Sequence, residues 1–151
     1  MDERFFRGID EFNAGKFTLL CAMDDRFYKG IEEFNSGRYF EAHEVLEDLW
    51  HEYRETDRTF IQGLIQVSAG FYHFQCANWK GTISQLSKGL KKLEVYKPEH
   101  LGIELESFLA EVQRSFQAIS ELKGGKIVDA KSIRIPQIIF DKSRAAQPTH
   151  S

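Results

Sequence analysis

An imidazole, a carboxylate and an indole recur at spacings of four and three in the segment Tyr39-Phe-Glu-Ala-His-Glu-Val-Leu-Glu-Asp-Leu-Trp50. A helix turns about 100° per residue, so these spacings stack His43, Glu47 and Trp50 on one stripe. With Ala42 at the zero of the helical wheel, Tyr39, Leu46, Leu49 and Tyr53 fall within roughly 60° of it and define a buried face. Trp50 then lies near ~80°, His43 near ~100° and Glu47 near ~140°, on the shoulder of that face. Held half out of water beside a large aromatic ring, such a pair can have shifted pKa values or hold a metal ion. Glu44 sits about 100° from His43, too far round to ligate the same ion. It is the candidate for a catalytic base or an orienting group in the outer shell.

A second stripe extends the site. In the apolar segment from Phe60 to Phe74, the residues Gln62, Gln66 and His73 share an arc roughly 40° wide, with Ala69 beside it. Polar side chains on an otherwise apolar helix need partners or water. If the two helices are antiparallel neighbours, His73 faces His43 and Glu47. These three form a metal-ligand set with an open position for water, walled by Trp50, Gln62 and Gln66. A zincin helix would carry histidine where Glu47 stands, and a diiron centre would need more carboxylates, so neither pattern is met. The same residues also admit a structural reading, in which His43 and Glu47 close the edge of the core while Trp50 packs.

The elements that must position these groups are helical throughout. Asp24 or Asp25 can cap a helix carrying Phe27, Ile31 and Phe34 that stops near Asn35-Ser-Gly37. A second helix spans residues 39–54, and Thr56-Asp57 can cap a third over 58–77. That third helix is apolar around most of its girth and is therefore central. Gly63 and Gly70 share a face on which a neighbour can approach closely. A fourth helix through Ile83, Leu86, Leu90 and Leu93 stops before Pro98, and a fifth is expected over 101–122, ending at Gly124-Gly125. Phe34, Tyr39, Leu46, Trp50 and Tyr53 echo Phe74, Trp79, Leu86, Leu90 and Leu93 at an offset of 40. Two helical hairpins are implied, too few for a solenoid. The apolar tail Ile133–Phe140 is expected to run extended over the core, with a frayed, flexible end after Asp141. The fold class is all-α: a compact array of about five antiparallel helices and a short extended tail. His51 and His100 are expected at the surface, Asp48, Glu52 and Glu55 on a solvated acidic face, and Trp79 as a hairpin anchor.

Composition narrows the function. The chain has 151 residues, 42% hydrophobic and 28% charged, which suits one domain with a real core. Thirteen phenylalanines against three prolines favour packed helices. A net charge of −3 gives no basic footprint for nucleic acid. Cys21 and Cys76 have neither knuckle nor disulfide spacing, and no motif indicates a nucleotide cofactor. No apolar run reaches the ~18 residues of a membrane span or resembles a signal peptide, so a cytoplasmic protein is expected.

The N-terminus carries an internal duplication. Glu3–Phe17 matches Asp25–Tyr39 at an offset of 22, and the fifteen aligned positions differ only by conservative exchanges. The match stops before the site, because Thr18-Leu-Leu-Cys-Ala22 stands where the second copy has Phe40-Glu-Ala-His-Glu44. Residues 1–22 are thus expected to add a dispensable helix, with Met1 and Met23 both open as the functional start. The single domain is expected over 23–140, with 141–151 as tail.

Residues 34–50, together with Phe60-Ile-Gln-Gly-Leu-Ile-Gln66 and Tyr72-His73, resemble the family known as domain of unknown function 309. The resemblance covers roughly residues 25–95, with a looser echo at Ile135-Pro136. The family hallmark, a histidine, three residues, a glutamate, two residues and an aromatic, falls on His43, Glu47 and Trp50. The resemblance implies an all-helical fold and metal binding at that motif, and it assigns no reaction. The leading expectation is a divalent-metal site of His43 and Glu47, with His73 as third ligand and metal-assisted hydrolysis as the chemistry it would support. The rival is a non-catalytic helical-hairpin module that binds a protein partner or self-associates. A small-molecule pocket between the hairpins is the third reading.

Overall fold

The computed structural model describes residues 24–126 and 129–145. The duplicated segment 1–22 and the choice between Met1 and Met23 lie outside the described residues, as does the end of the tail over 146–151. The chain is predominantly helical: α1 (Asp25–Asn35), α2 (Tyr39–Glu52), α3 (Arg58–Gln75), α4 (Trp79–Leu93) and α5 (Glu106–Lys123), with a short α6 (Lys142–Ala145).

Asp24 starts α1 by accepting the backbone N–H of Arg26 at 2.8 Å. The helix ends at Ser36, and Gly37, at φ +81°, supplies the left-handed turn into α2. Lys29 and Arg38 both reach the buried carboxylate of Glu33 and stitch this turn together. The second hairpin repeats the first. Ala77 (φ +57°) takes the place of Gly37, and Asn78 caps α4 by accepting the N–H of Gly81 at 3.0 Å. Leu46 fills the hollow at Gly30 as Leu86 fills that at Gly70, where an added Cβ would lie 2.5 and 2.7 Å from the leucine. The aromatic pairs Phe34–Tyr39 and Phe74–Trp79, with centroids 5.0 and 5.5 Å apart, close the two turns. The 40-residue echo is therefore a repeat of packing contacts. Gly63 also borders Leu93, as its spacing with Gly70 predicts.

The central position of α3 is borne out: Phe60, Ile61, Leu64, Val67 and Phe71 are all buried. They join Phe27, Phe34, Leu86, Phe108 and Val112 in one core. At the 25 cal/mol/Å² scale, each such side chain contributes roughly 1.5–3 kcal/mol.

Three features depart from expectation. The fifth helix starts at Glu106 rather than near Leu101, because residues 99–104 form a small antiparallel hairpin, β1 (Glu99–His100) and β2 (Ile103–Glu104). Its turn places both Leu101 and Gly102 at positive φ. Two-residue strands are too short to carry an alternating pattern. The tail Ile133–Phe140 does run over the core, but it is also hydrogen-bonded there. Glu104 donates its backbone N–H to Ile139 at 2.9 Å, and Asp141 donates to Gly102 at 2.8 Å. The Asn35 carboxamide holds both sides of Ile138, donating at 2.9 Å and accepting at 2.7 Å. Beyond Asp141, where fraying is expected, the chain makes the helical turn α6 and buries Ala145. No helix among the described residues is long and apolar enough to cross a membrane.

Candidate functional site

The buried face of α2 is the one its periodicity defines: Tyr39, Ala42, Leu46 and Leu49 are buried, with Tyr53 packed at the edge. Fixing that face leaves His43, Glu47 and Trp50 on the shoulder toward α3. From α3, Gln62, Gln66 and His73 turn to the same side, with Ile65 and Ala69 between them. These residues line one cavity of about 360 Å³. Of the expected site residues, only Glu44 is absent from its wall, being exposed on the far side of α2.

The polar atoms here are poorly satisfied. Four buried side-chain nitrogens or oxygens among the described residues lack a hydrogen-bond partner: His43 Nδ1, Trp50 Nε1, Gln66 Oε1 and Asp57 Oδ2. Three of the four belong to residues of this cavity. Buried polar groups ordinarily find partners, and each orphan costs about 1–3 kcal/mol.

Neighbours fix the rings. His43 stacks on Phe40 with centroids 6.2 Å apart, and Phe40 in turn meets Tyr72 at 5.1 Å. Arg58, anchored by donating to the Tyr53 carbonyl at 3.0 Å, lays its guanidinium 3.6 Å from the Trp50 ring centroid. His43 Nε2 and Glu47 Oε2 are 4.0 Å apart, too far for a direct hydrogen bond.

His73 reaches the cavity but is committed elsewhere. Asn78 uses its side-chain oxygen to cap α4, so its amide NH2 faces His73 Nδ1 at 3.2 Å. Nδ1 is then the acceptor, and the neutral ring carries its proton on Nε2, as a donor rather than a ligand. The three-ligand set of His43, Glu47 and His73 is accordingly not assembled. Among the described residues no group of three or more His, Cys, Asp or Glu side chains is placed to hold a metal ion. Glu44, the expected base or orienter, is likewise out of reach.

Gln85 of α4 also lines the cavity and escaped the sequence reading. Its signal was Gly81, one turn earlier: a Cβ there would lie 2.8 Å from the His73 ring. The glycine opens the α4 surface to the α3 polar stripe, and Gln85 follows on the same face.

A second polar pair lies outside the cavity. Asp57 is buried and does not cap α3 with its side chain, contrary to expectation. Its Oδ1 instead lies 2.6 Å from His100 Nε2. His100, expected at the surface, is largely buried between Phe60 and Tyr96, with centroids 4.7 and 4.8 Å away. The β1–β2 hairpin carries it inward, and without that hairpin the sequence offers no reason to bury it.

Residues 27–84 match the model of a family described as a domain of unknown function, DUF309. The match runs from the first turn of α1 into α4 and includes every cavity residue except Gln85. The resemblance read from the sequence is shown over these residues. No curated protein matches the chain.

Proposed function

We propose that the DUF309 region binds a small polar molecule in the cavity between α2, α3 and α4. The observation that carries this reading is that three of the residues lining the cavity, His43 and Trp50 on α2 and Gln66 on α3, each hold a buried polar atom without a hydrogen-bond partner. Trp50 offers an N–H donor, Gln66 an amide oxygen acceptor, and His43 Nδ1 either role according to its tautomer. A ligand that presents an acceptor beside a donor, such as a carboxamide, a urea or a diol, complements them. Among the described residues, no lysine or arginine lines the cavity. Phosphate and carboxylate groups therefore lack the charge-assisted partners they require. The test is a thermal-shift panel of small amides, ureas and sugars against the full chain and Gln66→Met. Saturable stabilisation of the full chain alone supports the reading, whereas equal shifts in both proteins, or none, discard it.

The spacing of His43 and Glu47 favours a second reading. Their facing atoms stand 4.0 Å apart, about twice a metal–ligand bond. A divalent ion would be held by these two residues, with His73 excluded while Asn78 engages its Nδ1. Bound there, the ion would supply an acidified water for hydrolysis. The fit is incomplete, since metal-bound imidazoles normally donate their other N–H and His43 Nδ1 has no acceptor. Elemental analysis of the purified chain beside His43→Ala decides it. Near-stoichiometric metal that disappears in the variant supports this reading, and metal retained by the variant removes it.

A further inference from the structure

The duplication gains meaning once the role of each residue in the second copy is known. Phe27, Gly30, Ile31, Glu33 and Phe34 are the buried residues of α1. Their counterparts Phe5, Gly8, Ile9, Glu11 and Phe12 are identical. The residues that fasten α1 are repeated too. Asp24 is the cap, Arg26 bonds Asp24 and Glu52 at 3.0 Å, and Asn35 grips the tail at Ile138. Their counterparts are Asp2, Arg4 and Asn13. The exchanges Asp25 for Glu3, Lys29 for Arg7, Glu32 for Asp10 and Ser36 for Ala14 fall at exposed positions, while Tyr28 for Phe6 is half-buried and Tyr39 for Phe17 buried, each an aromatic for an aromatic. Within α1 every buried residue is identical in the two copies.

We propose that the surface on which α1 sits is a binding site with two alternative occupants from the same chain, residues 24–37 and residues 2–15. Leu46 fits the glycine hollow, Phe71 and Phe108 meet Phe34 at 6.1 and 5.8 Å, and Phe140 meets Phe27 at 6.0 Å. Every one of these contacts is available to the first copy, residue type for residue type. The difference between the occupants is connection length. Three residues, 36–38, join α1 to α2, and seating the first copy adds the offset of 22. Loop-closure statistics put that disadvantage at about 20-fold. The second copy therefore holds the seat in the native chain, and the first replaces it when α1 is damaged.

The test compares Phe27→Asp with the double variant Phe5→Asp/Phe27→Asp in the full chain. Phe27→Asp should remain cooperatively folded, with its unfolding equilibrium shifted about 20-fold. The double variant should lose the cooperative transition, and Phe5→Asp alone should match the parent. Hydrogen exchange in Phe27→Asp should show protected amides moving from residues 27–35 to residues 5–13. Ile31→Asp against Ile9→Asp/Ile31→Asp repeats the comparison one turn along. If each single variant at the second copy is as destabilised as its double, the proposal is overturned. Folding of Phe27→Asp without protection over residues 5–13 overturns it equally.

Discussion

Replacing Gln66 by methionine should make the protein more stable. Gln66 Oε1 is buried without a partner, and such a group costs about 1–3 kcal/mol in lost hydration. Methionine nearly preserves the length and flexibility of the side chain, and volume-conserving exchanges of this kind cost less than about 1.5 kcal/mol. The balance is a gain of about 1 kcal/mol, or roughly 2–4 °C in Tm for a domain of this size. Urea denaturation is the assay: the midpoint should rise while the slope stays constant. The same variant should lose ligand response, because groups kept unsatisfied for binding are the ones whose removal stabilises. A drop in stability of about 1 kcal/mol or more would refute the reasoning. It would mean that the amide is fully paired in the folded protein and that the His43, Glu47 and Trp50 cluster is scaffold.

Further outcomes follow from other contacts. His100→Ala strips the buried Asp57 carboxylate of its hydrogen-bonded partner and should destabilise by about 3–5 kcal/mol, with partial recovery in Asp57→Asn/His100→Ala, read by thermal melts. Gly89→Ala puts a Cβ 3.0 Å from the Gly63 carbonyl oxygen, where backbone cannot yield, and should cost about 1–3 kcal/mol by chemical denaturation. Acid should loosen the first hairpin. Arg38 and Lys29 hold the Glu33 carboxyl below its ordinary 4.5, while at Asp24 burial pushes upward but hydrogen bonds from Arg26 prevail and leave it below 3.8. Both groups therefore lend stability that is fully present above about pH 5 and is lost as pH falls through their depressed values. The slope of Tm against pH below about 4.5 should flatten in Glu33→Gln.

How far the sequence carried the fold depends on the length of each pattern. Helices α1 to α4 were legible because their apolar stripes run for three or more turns between clear stops at Gly37, Asp57 and Asn78. The glycine faces that let α3 and α4 approach were also legible, since glycines seven residues apart have little other use on a helix. The β1–β2 hairpin was not, because its register depends on pairing with Ile139 and Asp141 far along the chain. His100 was misjudged for the same reason. At the site, the stripes of α2 and α3 bring His43, Glu47, Trp50, Gln62, Gln66 and His73 to the lining of one cavity. Side-chain hydrogen bonding was beyond periodicity. That Asn78 would take His73 Nδ1 follows from a cap geometry that no spacing announces. Gln85 belongs to a helix whose rotation about its axis was fixed only by packing.

The most direct measurement is the indole N–H resonance of Trp50, separated from that of Trp79 by Trp79→Phe, during titration with acetamide and urea. A binding cavity predicts a saturable shift of the Trp50 signal toward a hydrogen-bonded position, absent in Gln66→Met and absent with inorganic phosphate. A Trp50 resonance already in a hydrogen-bonded position and unmoved by either compound would contradict the account, because the indole would then have a partner within the fold.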